Sequence, residues 1–246
     1  MAATRSRVEL SRALSLVGAG ALAATLVASL PSAQAIEPGT ATPALSRWLD
    51  AAAPGPAARR RLESASQIGC EGSTVLRTPR GEMSVPTSFL AIPPSRYEER
   101  TRVQGTEIHT TLDEPRGWVE RASERRPLDD GQLERMRGAR HRRYGSLMVL
   151  AARGMLTASV NEDGSILVES ADGPLRLSVD ASGLVIQMSL AGRSLRGEAV
   201  VERRSFSDFR WTESGVRLPY RVTIDQDGRE VATSVWEHCA VELGSE

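Results

Sequence analysis

The stretch LDDGQLERMRGARHRRYGSLMVLAARG, residues 128–154, decides how the rest of the chain is read. Asp129 opens it with Gln132 three residues on, the spacing of a capping box that satisfies free N–H groups at a helix start. Leu133, Met136, Tyr144, Leu147 and Met148 then recur at three- and four-residue steps, apart from one gap at Arg140. That recurrence predicts an apolar stripe on a helix. Arg135, Arg137, Arg142 and Arg143 mostly fall on other faces, and Gly154 is placed to end the last turn in a left-handed conformation. Gly138 and Gly145 each weaken a helix by about 1 kcal/mol relative to Ala, so one long helix and two shorter ones are equally open.

On either side of this insert the pattern changes to period two. Before it, Ile68, Cys70, Thr74 and Leu76 share one side of a strand if Gly72 is allowed as a bend, and Met83, Val85, Thr87, Phe89 and Ala91 alternate along the next. Pro93-Pro94 interrupts pairing and suits an edge or rim. Three further strands are expected over residues 97–103, 107–112 and 117–121. After the insert, Leu175, Leu177 and Val179 alternate with polar residues, as do Leu184, Ile186, Met188 and Leu190, and then Val216, Leu218, Tyr220, Val222 and Ile224. Asp163-Gly164, Asp172-Gly173, Ser182-Gly183 and Asp227-Gly228 supply tight hairpin turns. The prediction is a mainly β (α+β) domain, an antiparallel meander with one apolar face and a helical element to cover it. Leu45, Trp48 and Leu49 predict a short helix ahead of the strands, and residues 57–62 a second helical turn.

The first 35 residues read as a processing signal. Arg5, Arg7 and Arg12 precede an uncharged apolar run over residues 13–30, and Ala33-Gln34-Ala35 supplies a small-x-small cleavage pattern. The run is close to membrane-spanning length, but Pro31 and the small-residue site directly after it favour cleavage following Ala35 over an anchor. The expected organisation is a signal peptide over 1–35, a linker over 36–43 and a single domain over 44–246. The product would be exported, periplasmic or extracellular, soluble and monomeric.

Composition removes several function classes. The chain has 31 basic and 31 acidic residues, and removing the signal leaves a net charge of about −2, so nothing points to nucleic acid. Every basic residue is Arg, which excludes Schiff-base or phosphate-loop lysine chemistry. His109, His141 and His238 lie in no H-E-x-x-H, H-x-x-E-H or C-x-x-C spacing, so no metal site and no cofactor is expected. No G-x-S-x-G elbow is present, and a meander lacks the strand–turn–helix that would expose such a serine. The chain is therefore expected not to be an enzyme. Trp48, Trp118, Trp211 and Trp236 are expected inside, as core or as ligand-cavity walls.

Cys70 and Cys239 are expected to bridge, as two thiols in an exported chain more often do, with two separately buried thiols as the alternative. Bridging would require the first and last strands to lie side by side or face to face.

The order of elements then becomes informative. Ala91-Ile92-Pro93-Pro94, Tyr97-Glu98-Glu99-Arg100, Gly117-Trp118, an apolar helix and a hairpin meander lead to Phe206-Ser207-Asp208-Phe209-Arg210 and Gly215-Val216-Arg217-Leu218-Pro219-Tyr220-Arg221. Over about residues 44–242 this resembles the LolA-like superfamily of periplasmic lipoprotein carriers, closest to a subgroup found behind insulinase-type zinc peptidases. The resemblance implies an unclosed β-barrel covered by helices that carries lipid-modified proteins or related apolar ligands without catalysing a reaction. Carriers proper tend to have an arginine before the proline that follows the second strand, where this chain has Ile92. The expectation is an exported carrier or sensor of lipid, lipoprotein acyl chains or another apolar ligand. The alternatives are a packed interaction module with an envelope protein partner, or an accessory domain of a peptidase system. The expected cavity is bounded by Phe89, Leu90, Trp118, Tyr144, Leu147 and Met148.

Overall fold

A computed structural model describes residues 43–170, 173–193 and 199–243. The expected signal peptide, its cleavage site and nearly all of the linker lie outside the described residues. Two helices, α1 (Pro43–Ala52) and α2 (Gly55–Glu63), lead into six strands: β1 (Ala65–Thr78), β2 (Gly81–Ile92), β3 (Arg96–Val103), β4 (Thr106–Asp113), β5 (Arg116–Arg121) and β6 (Glu124–Pro127). Helices α3 (Asp130–His141) and α4 (Tyr144–Ala152) follow. Seven more strands close the chain: β7 (Thr157–Val160), β8 (Ile166–Glu169), β9 (Leu175–Val179), β10 (Val185–Arg193), β11 (Ala199–Trp211), β12 (Arg217–Gln226) and β13 (Arg229–Leu243).

All 13 strands form one sheet in the order β6-β5-β4-β3-β2-β1-β13-β12-β11-β10-β9-β8-β7. Each strand pairs antiparallel with its sequence neighbour, except that β1 and β13 meet in the middle. The edge strands β6 and β7 do not pair, so the sheet is an unclosed barrel, and the α3–α4 segment runs between those two free edges. β6, Glu124-Arg125-Arg126-Pro127, is exposed throughout and has no apolar alternation to announce it. Its charges and terminal proline are what an unpaired edge needs to resist pairing with another chain.

The central pair is where chain ends are locked. Cys70 lies directly opposite Cys239, with Cα atoms 4.1 Å apart, and the two form a disulfide. Gly72 marks an irregularity in the same ladder, where a Cβ would meet Trp236 Cα at 2.8 Å. The bend expected there is thus a close approach of β1 to β13 that only glycine permits.

The insert is two helices. The Asp129–Gln132 capping box forms in both directions, at 2.8 and 3.0 Å, and starts α3. α3 ends at Arg142, whose guanidinium folds back to donate to the Gly138 carbonyl at 2.8 Å and occupies the place a Cβ at Gly138 would need. Leu133 and Met136 are half-buried against the core, as a one-sided stripe requires. α4 differs, because Tyr144 through Ala151 are all buried. YGSLMVLAA carries no charge, and a helix apolar all round belongs inside a fold. α4 therefore fills the interior of the half-barrel, which corrects the expectation of one stripe running through both halves of the insert.

Gly145 is what lets it do so, since a Cβ there would come 2.8 Å from Ile68 Cγ2 on β1. Trp48 of α1 donates to the Tyr144 hydroxyl at 2.7 Å, and the Tyr144 ring packs edge-on against Trp48, Phe206 and Phe209. At the other end of α4, Arg153 donates to the carbonyls of Glu63, Ala65 and Pro93, tying helix, β1 and the β2–β3 turn together.

Candidate functional site

Pairing in the sheet fixes which side chains can reach the interior. Residues directly opposite one another in an antiparallel ladder share a face. Ala91, Tyr97, Leu112 and Gly117 form one row across β2–β5. Gly117 approaches Leu128 and Leu133, so this row faces the helices, and Phe89 and Glu99 share its side. Leu90, Glu98, Thr111 and Trp118 form the neighbouring row and face the other way.

The expected cavity residues therefore divide. Phe89, Tyr144, Leu147 and Met148 lie in the interior core. Leu90 and Trp118 stand on the opposite face, with Trp118 half-buried beneath the Arg125 guanidinium, 4.0 Å from its ring centroid. The reason is the two-residue period: Phe89 and Leu90 are consecutive in a strand and cannot point to the same side. Of the other tryptophans, Trp48 and Trp236 are inside, while Trp211 is about half exposed under Arg217 at the end of β11.

Between α4 and the sheet lies a small cavity of about 30 Å³. Its apolar wall includes Ile68, Phe89, Phe206, Leu218, Val222 and Trp236. This is room for a water molecule, not for an alkyl chain.

The cavity also has a polar wall that sequence reasoning missed. Arg142, Arg143 and Arg204 all line it. Arg143 lies 4.4 Å over the Phe89 ring and within 5.9 Å of Trp236, while donating to the Tyr97 hydroxyl at 2.8 Å and to Glu99 at 3.2 Å. Arg204 donates to Glu202 at 2.8 Å and to the Arg142 carbonyl at 3.3 Å, and Arg142 reaches the other Glu202 oxygen at 3.5 Å. Both Arg204 and Glu202 are buried. Arg142 and Arg143, expected mostly on faces other than the apolar stripe, line the cavity because the chain breaks between α3 and α4 and places them at the joint. The available signal was in β11, where Glu202, Arg204 and Phe206 alternate on one face, charged residues continuing an aromatic row.

The electrostatics follow from burial. Burial alone would raise the Glu202 carboxyl, but the charges of Arg204 and Arg142 outweigh it and hold the group below its ordinary value. Burial pushes the Arg204 guanidinium down, Glu202 opposes this, and the charges of Arg142 and Arg143 add to the depression. For Arg143 burial acts downward too, yet Tyr97 and Glu99 prevail and raise it. Burial pushes the Tyr97 hydroxyl up.

A second polar cluster sits on the opposite face. His109 faces Glu98 at 3.1 Å and Glu120 at 3.5 Å, with Arg96 bonded to Glu98 at 2.6 and 3.0 Å. Among the described residues no group of three or more His, Cys, Asp or Glu is placed to hold a metal ion, and no helix is long and apolar enough to cross a membrane.

No protein-family model matches the sequence, and no curated protein matches it. Solved structures do match. A LolA superfamily protein from Nitrosomonas europaea is 12% identical, covering 82% of this chain and 94% of its own, with a TM-score of 0.51. An outer membrane lipoprotein-sorting protein domain from Vibrio parahaemolyticus is 8% identical over 82% of this chain and 95% of its own, at 0.47. The chain has the LolA-like fold. At such identity the likeness is one of fold alone.

Proposed function

We propose, with the LolA-like fold as premise, that this protein is an exported carrier that binds the acyl chain of a lipid or lipoprotein inside the half-barrel. The observation that carries the reading is α4. The interior of the sheet is occupied by an uncharged helix from the segment that joins the two free edges, packed with buried residues of α1 and α2, not by a second layer of the sheet. A chain that displaces such a helix exchanges one set of apolar contacts for another, against walls that include Ile68, Phe89, Phe206 and Trp236. Each methylene taken from water would contribute about 0.8 kcal/mol, so a long acyl chain needs little polar recognition to bind. Leu147 and Met148 line the helix that moves, and thioether side chains repack at modest cost around different ligands.

The α3 half of the insert is the natural handle. It contributes only half-buried apolar residues and is tied to the β4–β5 turn by Arg137, which bonds both oxygens of Glu114 at 2.9–3.2 Å. Hydrogen bonding by Arg137 holds the Glu114 carboxyl below its ordinary range. Such a polar tether opens more readily than packed core.

The Cys70–Cys239 disulfide fits an oxidising compartment, and with the expected signal over residues 1–35 supports export to the periplasm or beyond. The carrier reading assigns no reaction, cofactor or metal, and is tested by lipid extraction and mass spectrometry of protein purified from an expressing bacterium. A bound lipid at near-stoichiometric amount is expected. Absence of lipid, with no uptake of palmitate by the refolded protein, contradicts it and leaves a packed envelope module.

A further inference from the structure

The carrier reading explains the apolar wall but not the three guanidiniums beside it. Arg142, Arg143 and Arg204 line one cavity with Phe89, Phe206 and Trp236. Among the described residues, the carboxylates that meet them are two, Glu202 and Glu99. The cluster thus holds one more positive than negative charge, with the Arg204 and Glu202 side chains about nine-tenths buried. A buried charge without a counter-charge is costly. Among the described residues no third carboxylate meets these guanidiniums, and an anionic ligand would match the excess charge.

A second observation points the same way. Arg142, Arg143, Tyr144 and Gly145 are the joint and first turn of α4, and all four line the cavity. α4 starts without a side-chain cap, and Ser146 in the same turn is buried with no hydrogen-bond partner for its hydroxyl. The first N–H groups of a helix lack intrahelical acceptors and carry partial positive charge. The uncapped start of α4 and the surplus guanidinium charge therefore border one small volume that aromatic rings also line. Anions settle at such helix starts, and guanidiniums match carboxylate and phosphate oxygens in pairs.

We propose that this cluster is the head-group site for an acidic amphiphile, a carboxylate or phosphate head held by Arg142, Arg143 and Arg204 while its alkyl tail follows the interior that α4 gives up. The inference rests on the carrier reading and narrows its ligand. Neutral lipids, and acyl chains in amide or ester linkage to an uncharged head, would leave the surplus charge unmatched. An acidic head matches it and sits where α4 begins, so that ligand entry and movement of the helix are coupled at the α3–α4 joint.

The test compares heads on one tail. The disulfide-bonded protein, freed of lipid, is titrated with palmitate, palmitoyl lysophosphatidate and methyl palmitate below their aggregation limits. Both acids should bind at least about tenfold more tightly than the ester, a difference of about 1.4 kcal/mol. Preference for only one of the two acids still supports the site and identifies the head. Arg142→Gln should shrink the acid-over-ester preference to about twofold or less, and Arg142→Lys should retain most of it. Circular dichroism melts accompany each variant, and the wild-type comparison stands if Arg142→Gln does not fold. Equal affinity for acid and ester overturns the head-group site while leaving the carrier reading intact, as does a preference that survives Arg142→Gln in a folded protein. Failure of all three ligands to bind overturns both.

Discussion

Gly145 of α4 lies so close to Ile68 of β1 that a Cβ added to it would stand 2.8 Å from Ile68 Cγ2 and 3.0 Å from Cδ1. Glycine at this position serves contact more than flexibility. Gly145→Ala gains helix propensity but must push a buried side chain aside, and overpacking of this kind costs about 1–3 kcal/mol. Urea denaturation should show that loss, and Ile68→Val in the Gly145→Ala background should recover part of it. A Gly145→Ala protein as stable as wild type would mean that α4 is not seated on β1 as described.

The bridge between Cys70 and Cys239 staples the first strand to the last. In the chain-entropy model, closing a loop this long stabilises by about 4–5 kcal/mol, less any strain. Reduction, or Cys70→Ser with Cys239→Ser, should lower the urea midpoint accordingly without changing the circular dichroism of the folded state. Thiol titration of the unreduced protein in denaturant should find no free thiol per chain.

Arg153 holds the far end of α4 through three carbonyls, those of Glu63, Ala65 and Pro93. Arg153→Ala leaves them without this donor and should cost about 2–3 kcal/mol. Hydrogen exchange should rise first in α4 and at the start of β1, ahead of the central strands. Uniform acceleration everywhere would contradict a local role.

Acid should weaken the interior cluster in a defined window. Glu202 titrates below its ordinary value of 4.5 in the folded chain, so its contribution is complete above pH 4.5 and is lost as pH falls through the lower folded value. Glu114 and Glu98 shift in the same direction and add to the same fall. Stability should be flat from pH 7 to about 5 and drop below that. Glu202→Gln should be less stable at neutral pH, by about 3–5 kcal/mol if Arg204 stays buried without its partner, and should show a shallower acid slope. An unchanged slope would place the acid sensitivity elsewhere.

Much of the fold was legible because its signals are local. Alternation in Leu175–Val179 and in residues 216–224, Asp-Gly and Ser-Gly turns, and the Asp129–Gln132 box each follow from a few neighbouring residues. The disulfide was legible because few pairings were open to two cysteines. The site was harder. Period two should have separated Phe89 from Leu90, and cross-strand register, which sequence does not show, put Trp118 in the outer row with Leu90. Arg142 and Arg143 read as lying off the apolar stripe because the break at their position decides their direction, and at that break the Arg142 guanidinium folds over Gly138. The uncharged run over 144–152 did announce a buried helix, but averaged with the charged residues before it, it passed for one side of an amphipathic one.

The register makes a sharp distinction between two aromatic residues for ligand binding. Phe89 lines the interior and Trp118 stands on the opposite face. Phe89→Ala should weaken palmitate binding by about tenfold or more, as loss of a buried aromatic contact does. Trp118→Ala should leave palmitate affinity within about twofold. Equal effects would move the ligand out of the half-barrel.

The central claim is that α4 yields to an acyl chain. Hydrogen exchange of the lipid-free protein, with and without saturating palmitate, measures this most directly. We predict saturable binding of one chain per protein, with exchange faster in residues 144–152 and unchanged or slower in β1 and β13. Saturable binding that leaves α4 exchange unaltered, or no binding up to the solubility limit of palmitate, would contradict the claim.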